Sequence, residues 1–202
     1  GRSAQAGVLF RDAEAIEHLR LIDTLIVDKT GTLTEGRPTF RDVLVADGFV
    51  ADDILGLAAS LERGSEHPLA AAIVAEAMER GLEFDDAKEF ESHTGTGVTG
   101  QVGERRLALG NQALMSTSGA SISELESAAE ELRNEGGSVM YLAIDGKLAG
   151  AIAVADAIKP TTRPALEALR KAGIHVVMAS GDAQRTAEAV GRELGIDDVR
   201  GE

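Results

Sequence analysis

Hydrophobic positions along this chain follow two rhythms, and the places where one gives way to the other outline its organisation. Largely apolar runs of strand length stand at 24–27, where Leu25-Ile26-Val27 follows Thr24, and at 174–179, broken only by His175, the pattern of buried strands. Segment 51–63 instead repeats its apolar side chains at helical spacing, with Ile54, Leu55, Ala58 and Leu61 inward and Gly64 as its stop. A second helix follows, with Ser65 as its cap, Pro68 in its first turn, Ile73, Val74 and Met78 on its apolar face and Gly81 beyond its end. Segments 39–46, 98–102 and 105–109 read as strands, the last two joined by Gly103-Glu104; 121–133 reads as a helix on Ile122, Leu125 and Leu132. Strands at 139–144 and 148–154 flank Asp145-Gly146, the strongest short hairpin signal in the sequence. Past Ala155 come a helix at 161–172, the strand at 174–179 and a helix at 183–194, and a further short helix is predicted at 12–20 behind an Asp12 cap.

Helix–strand–helix order asks for a parallel sheet, and the natural partner of 174–179 is the strand at 24–27. The chain therefore reads as α/β, with one parallel-sheet domain split into 1–35 and 155–202 and a mixed α/β domain, 36–154, inserted between its halves. Glu35-Gly36-Arg37-Pro38 and Asp156-Ala157-Ile158-Lys159-Pro160 would be the two linkers, placed to act as hinges.

Composition narrows the partners. The chain has 202 residues, 44% of them hydrophobic but only 3% aromatic, so its cores must be built from Ala, Val, Leu and Ile. A formal charge of −14 argues against nucleic acid or an anionic membrane surface as partner. ATP stays compatible, since it needs only local positive groups. There is no Cys, hence no disulfide framework or thiolate metal site. The uncharged stretch 107–123 holds too many Asn, Gln, Ser, Thr and Gly residues to span a bilayer, and a soluble chain is expected.

The chemistry begins where the first strand ends. Asp28-Lys29-Thr30-Gly31-Thr32-Leu33-Thr34 puts a carboxylate at the carboxyl end of a strand, where open parallel sheets hold their ligands. A carboxylate can accept a phosphoryl group as an aspartyl phosphate. Lys29 adds positive charge, and Thr30, Gly31 and Thr32 add hydroxyls and backbone N–H groups able to cradle phosphate oxygens. Ser180-Gly181-Asp182 ends the neighbouring strand in the same way, with the Ser180 hydroxyl well placed for a transferred phosphoryl group.

The Asp28 run resembles the phosphorylation motif of P-type ATPases, ion pumps whose catalytic domain is similar in fold to haloacid dehalogenases. In dehalogenase-like phosphatases a second Asp commonly stands two residues after the nucleophile; here it is Thr30. The resemblance thus implies a phosphoenzyme that persists, with Asp28, Lys29, Thr30, Ser180 and Asp182 as the catalytic set. It also implies Mg²⁺, with the Asp28 carboxylate and the Thr30 carbonyl among its ligands. The family usually has Thr where Ser180 stands, and often Asn where Ala183 stands.

Ser65-Glu66-His67-Pro68-Leu69-Ala70 resembles the His-Pro signature in the nucleotide-binding domain of the heavy-metal subgroup, and Glu62 matches that subgroup's adenine-accepting acid. Gly95-Thr96-Gly97-Val98-Thr99-Gly100 is a GxGxxG string, but it lacks the following helix that a dinucleotide fingerprint requires. The resemblance makes it the subgroup's nucleotide-facing glycine loop, with Gly110 as a later contact. The adenine set implied is therefore Glu62, His67, Gly95, Gly97 and Gly110. Asp156 matches the acidic residue at the hinge. His18, His93 and His175 carry little signal, and the pairs Asp52-Asp53, Asp85-Asp86 and Asp197-Asp198 read as solvated turns and caps.

The resemblance covers nearly the whole chain, and residues 1–10 look like the segment that leaves the membrane in copper-type pumps. The His-Pro signature paired with Asp145-Gly146-Lys147-Leu148-Ala149-Gly150 and Ala155-Asp156-Ala157-Ile158-Lys159 resembles copper(I) exporters more than zinc or cadmium ones. The family's downstream Lys and later Gly-Asp-Gly segment have no counterpart here. The implied object is an excised cytoplasmic piece of an integral membrane pump: a whole nucleotide-binding domain and a truncated, haloacid-dehalogenase-like phosphorylation domain. It would bind ATP, turn it over poorly, work with the pump's membrane and actuator domains, and leave Cu(I) to residues outside this chain. Two other readings are a soluble dehalogenase-like phosphatase with a large cap and a non-catalytic nucleotide-binding module.

Overall fold

The most buried strand shows how this sequence sorts its side chains. The strand Lys147–Ala155 is covered on both faces, and beyond Gly150 its residues divide by size: Ile152 and Val154 point to one side, Ala151 and Ala153 to the other. Large residues meet one pair of helices, and alanines let a second pair approach closely. In this computed structural model, which describes residues 21–65 and 67–201, the strands in chain order are β1 (Thr24–Asp28), β2 (Thr39–Val45), β3 (Lys88–His93), β4 (Gly97–Val102), β5 (Arg105–Gly110), β6 (Ser138–Ile144), β7 (Lys147–Ala155), β8 (His175–Ala179) and β9 (Asp198–Arg200). The helices are α1 (Ala51–Glu62), α2 (Pro68–Glu79), α3 (Gln112–Thr117), α4 (Glu126–Asn134), α5 (Thr162–Lys171) and α6 (Gln184–Leu194). The helix expected at 12–20 and the segment 1–10 lie outside the described residues.

Two sheets result. Strands β2-β7-β6-β5-β4-β3 form an antiparallel sheet of six, and β1-β8-β9 form a parallel sheet of three. Helices α1 and α2 pack Ile54, Leu55, Leu61 and Ile73 on the large-residue face of the six-stranded sheet, against Leu107, Leu109 and Leu142. On the other face, α3 and α4 bring Leu114, Met115 and Ala129 to Ala108, Tyr141 and Ala143. The parallel sheet has its own core of Val176, Met178, Leu166, Ala187, Val190 and Leu194. Burying one such Leu or Ile side chain is worth about 1.5–3 kcal/mol, so aliphatic cores suffice without aromatics.

The sheets are joined by the two expected linkers, which run side by side: Thr34 bridges Ile158, and Thr39 pairs with Ala155. They also touch through helices α4 and α6, where Arg185 ion-pairs with Glu130 and Thr186 Oγ1 donates to the Gly137 carbonyl at 3.3 Å. No described helix is long and apolar enough to cross a membrane.

Several elements differ from the sequence reading. β3 was not predicted: its one apolar side chain among KEFESH is Phe90, and as the outermost strand it needs no alternation. α3 was hidden in the uncharged stretch, where Asn111 starts it by accepting from the N–H groups of Ala113 and Leu114. α4 begins at Glu126, five residues later than the predicted start at 121, because 121–125 forms a turn closed by Leu125 N–H on the Ile122 carbonyl. Asp198 opens β9 rather than a solvated turn.

Candidate active site

β1 and β8 are in parallel register with Asp28 opposite Ala179, so Asp28 and Ser180 emerge beside each other at the carboxyl ends of neighbouring strands. The chain then reverses. Thr30 (φ −75°, ψ 123°) and Gly31 (φ 75°, ψ −14°) have the dihedrals of a type II turn, which demands a residue tolerant of positive φ at the second central position. This leaves Asp28 and Thr30 exposed and sends Lys29 inward, 6% accessible, with its ammonium 2.7 Å from the Asp182 carboxylate. Ser180 Oγ accepts from the Asp182 N–H at 3.1 Å, shaping the loop that presents it. All five members of the expected catalytic set are thus gathered at one edge of the three-stranded sheet. The Lys29–Asp182 pairing is the part no sequence pattern announces.

The second group lies on the six-stranded sheet. Glu62 ends α1 at 5% exposure, and its Oε2 is buried without a hydrogen-bond partner. Burial pushes its carboxyl pKa above the ordinary value, against the pull of a Ser65 hydrogen bond and the His67 charge. The folded state therefore binds this proton more tightly than the unfolded chain does, and stability is lost as pH rises from the ordinary value through the raised folded pKa. Glu62→Gln is expected to melt a few degrees above the unsubstituted protein at pH 7, with the gap closing as pH falls towards 4.5, where the side chain is ordinarily half-protonated. Thermal scans between pH 5 and 8 check this; a variant that melts lower at pH 7 would contradict it.

His67, not Ser65, is the N-cap of α2. Its Nδ1 accepts from Leu69 N–H at 3.2 Å, while Ser65 Oγ accepts from His67 N–H at 3.3 Å. With Nδ1 engaged as acceptor, the neutral ring carries its proton on Nε2, on an exposed side chain. The end of α1 rests on β3 and β4: an added Cβ at Gly100 would meet Leu61 at 2.8 Å, and Gly64 sits under the Phe90 ring. The Glu62–His67 junction therefore overlies the strands that carry the glycine turn.

Within that turn the glycines have distinct reasons. Gly97 and Gly110 pair across β4 and β5, and a Cβ would fall 2.2 Å from the Leu109 carbonyl oxygen in one case and 2.1 Å from the Thr96 carbonyl oxygen in the other. Both are required by packing alone. Gly95 (φ 73°) faces open space. Asn111, passed over in the sequence reading, ties the turn down: its Nδ2 donates to the Gly95 carbonyl at 2.9 Å and its backbone N–H to the Thr96 carbonyl at 2.8 Å, while its Oδ1 caps α3. An Asn directly before a short uncharged helix was the available signal. His93 Nε2 lies 2.8 Å from Thr99 Oγ1. A cavity of about 660 Å³ opens on the α3 side of the sheet, lined by Thr99, Arg106 and Asp145 among others, and takes in neither Asp28 nor Glu62.

Comparison with known proteins fits this geometry. The chain is 52% identical over 99% of its length to the copper-transporting P-type ATPase of Rhizobium leguminosarum bv. viciae, of which it spans 24%. A zinc-transporting PIB-type ATPase solved in its E2.Pi state superposes on 98% of the chain with a TM-score of 0.73 at 30% identity, the match covering 32% of that structure. The catalytic domain of a CPx-ATPase superposes on 99% with a TM-score of 0.69 at 26% identity, covering 68% of that domain. The chain thus spans about a quarter of the length of the curated relatives it matches. A family model of haloacid dehalogenase-like hydrolases matches residues 22–202, and with that match the chain belongs to this family.

Proposed function

We propose that this chain is the ATP-binding and phosphoryl-accepting region of a heavy-metal P-type ATPase, a copper(I) exporter. The observation that carries the reading is the pair of strand ends: an exposed Asp28 and the Ser180 hydroxyl side by side, followed by a turn whose second residue is Thr30 rather than an acid. We assign phosphoryl acceptance to 1–35 with 155–202, and nucleotide binding to 36–154.

In this reading the unpartnered Glu62 oxygen accepts from the adenine amino group and His67 Nε2–H donates to the nucleotide. The Gly95 turn offers backbone, with Gly97 and Gly110 allowing its close packing. Closure about the linkers at 35–38 and 156–160 brings the γ-phosphate to Asp28. A carboxylate oxygen of Asp28 forms the new P–O bond, the bond to the bridging oxygen breaks, and ADP leaves with that electron pair. The Ser180 hydroxyl donates to the transferred group, and Lys29, fixed by Asp182, adds positive charge to the site.

Asp28 and the Thr30 carbonyl are hard oxygen donors of the kind Mg²⁺ takes beside substrate phosphates. The ion, when bound, neutralises phosphate charge. The described residues gather no group of three His, Asp or Glu side chains able to hold a metal by themselves; the chain alone is expected to bind ATP but turn it over slowly. The membrane and actuator parts of the pump are its partners. Cu(I) is the cargo, and ATPase stimulation of the full pump by Cu⁺ rather than Zn²⁺ tests that choice.

The family match to hydrolases supports a second reading, a phosphatase acting on small phosphomonoesters; fast Mg²⁺-dependent phosphate release from such esters would favour it. The deciding experiment is calorimetric titration of ATP into the chain and into His67→Ala. Saturable binding is expected, weakened about tenfold or more by the substitution, as for loss of a hydrogen bond to a charged ligand. Equal affinities would remove His67 from the site and reopen the phosphatase reading.

A further inference from the structure

The turn after Asp28 is not held by its own residues alone. Four of its backbone groups are held: the Gly31 and Leu33 carbonyls by Lys159 of the second linker and Thr162 just beyond it, and the Lys29 carbonyl and Gly31 N–H by Thr34 of the segment itself. The Lys159 ammonium donates to the Gly31 carbonyl, and the Lys159 N–H donates to the Leu33 carbonyl at 3.1 Å. Thr162 Oγ1 donates to that same Leu33 carbonyl at 2.6 Å. Thr34 Oγ1, fully buried, lies 3.0 Å from the Lys29 carbonyl oxygen and 2.5 Å from Asp156 Oδ2, and accepts from Gly31 N–H at 3.3 Å. Asp156 in turn accepts from the N–H groups of Gly36 and Arg37, both at 3.2 Å. Gly36 sits directly on the turn: a Cβ there would fall 2.9 Å from Gly31 Cα. Both linkers therefore end on the Gly31 peptide, one by backbone contact and the other by an ammonium.

We propose that Lys159 is a positioning residue for phosphoryl transfer: its ammonium, from the second linker, fixes the Gly31 carbonyl and so the turn that follows Asp28. This rests on the phosphoryl-acceptor reading above and deepens it. The two linkers are the segments about which the inserted domain closes, so the grip of Lys159 makes the shape of the acceptor turn depend on the linker's position. Acceptor geometry and closure become one event. A lysine suits the task because its compact ammonium reaches a single carbonyl from a flexible stem. The remaining bonds of the segment, through Asp156, Thr34 and Thr162, hold the linker in place when Lys159 is removed.

The test uses the full-length pump, reconstituted, with phosphoenzyme formation from γ-labelled ATP followed by rapid quench and nucleotide affinity measured separately. Lys159→Met is expected to slow phosphoenzyme formation about tenfold or more, as a misplaced reacting group does, while leaving the Kd for ATP within about twofold. Lys159→Arg, which keeps a donor of the right charge, is expected to recover most of the rate. Gly36→Ala, which presses on the same peptide from the other linker, is expected to slow the same step. Phosphorylation of Lys159→Met at the original rate overturns the inference. So does a parallel loss of rate and ATP affinity that arginine does not restore, since that pattern marks a binding or purely structural role. If the unsubstituted pump forms no phosphoenzyme sensitive to Asp28→Asn, the acceptor reading itself fails and the inference goes with it.

Discussion

Asp28→Asn is expected to eliminate the acid-stable phosphoenzyme of the full-length pump, with ATP affinity held within about twofold. The two effects separate because the groups are separate: Asp28 ends β1 of the parallel sheet, whereas Glu62 and His67 stand at the α1–α2 junction on the other sheet. The amide is isosteric with the carboxylate but is no nucleophile towards phosphorus, and loss of an enzyme nucleophile costs about 10⁴-fold or more. Folding should be spared, since Asp28 is exposed and anchors no buried bond among the described residues. Acid-quenched labelling with γ-labelled ATP reads the first effect and calorimetry the second. Residual label at more than a few per cent would place the acceptor elsewhere.

Gly110→Ala should have the largest effect on the fold itself. The new methyl would lie 2.1 Å from the Thr96 carbonyl oxygen, 2.7 Å from a Leu114 methyl and 2.9 Å from Gly97 Cα. Two of the three are backbone on a paired strand or its turn, so neither can swing away. Relief requires β4 and β5 to part at the Gly97–Gly110 pair, which also strips the Asn111 bonds from the turn. A cost of about 3 kcal/mol or more is expected, at the upper end for overpacking, together with loss of ATP binding. Gly95→Ala is the control. It meets no atom within 4 Å but must hold φ near 73°, costing roughly 1–2 kcal/mol. Chemical denaturation of both variants gives the comparison; equal destabilisation would mean that conformation rather than crowding governs the turn.

What could be read from the sequence and what could not divide along a physical line. β1, β8 and the β6–β7 hairpin announce themselves through dense apolar runs, and Asp145-Gly146 suits the hairpin's tight turn, but of these β7 is covered on both faces whereas β1 leaves Ile26 69% exposed. Asp28 was legible as a candidate for the same reason, since an apolar run has a definite end. Pairings across long separations leave no local trace: Lys29 meets Asp182 because β1 and β8 lie side by side, and Lys159 meets Gly31 because the linker before α5 runs along the segment after β1. Edge strand β3 was invisible because one face of it needs no apolar residue. The cap of α2 was assigned to Ser65, the better capping type, yet Pro68 fixes the helix start so that His67 holds the position. That the same imidazole both caps a helix and presents Nε2–H outward is geometry that residue preferences cannot supply.

The order of assembly follows from the split sheet. Pairing β1 with β8 closes a loop on the order of 150 residues, whereas the six-stranded sheet is built largely of neighbouring hairpins, β3–β4, β4–β5 and β6–β7. Such local pairings form early, because little chain entropy is lost before contacts reward them. Once β2 lies along β7, Thr39 stands beside Ala155 and the two strays of the parallel sheet are delivered to one place. The remaining loop is then roughly a quarter as long, lowering the entropic barrier by roughly 1 kcal/mol. The inserted sheet thus acts as a scaffold during folding. The sheet edge that carries Asp28 is therefore the last part of the fold to be completed.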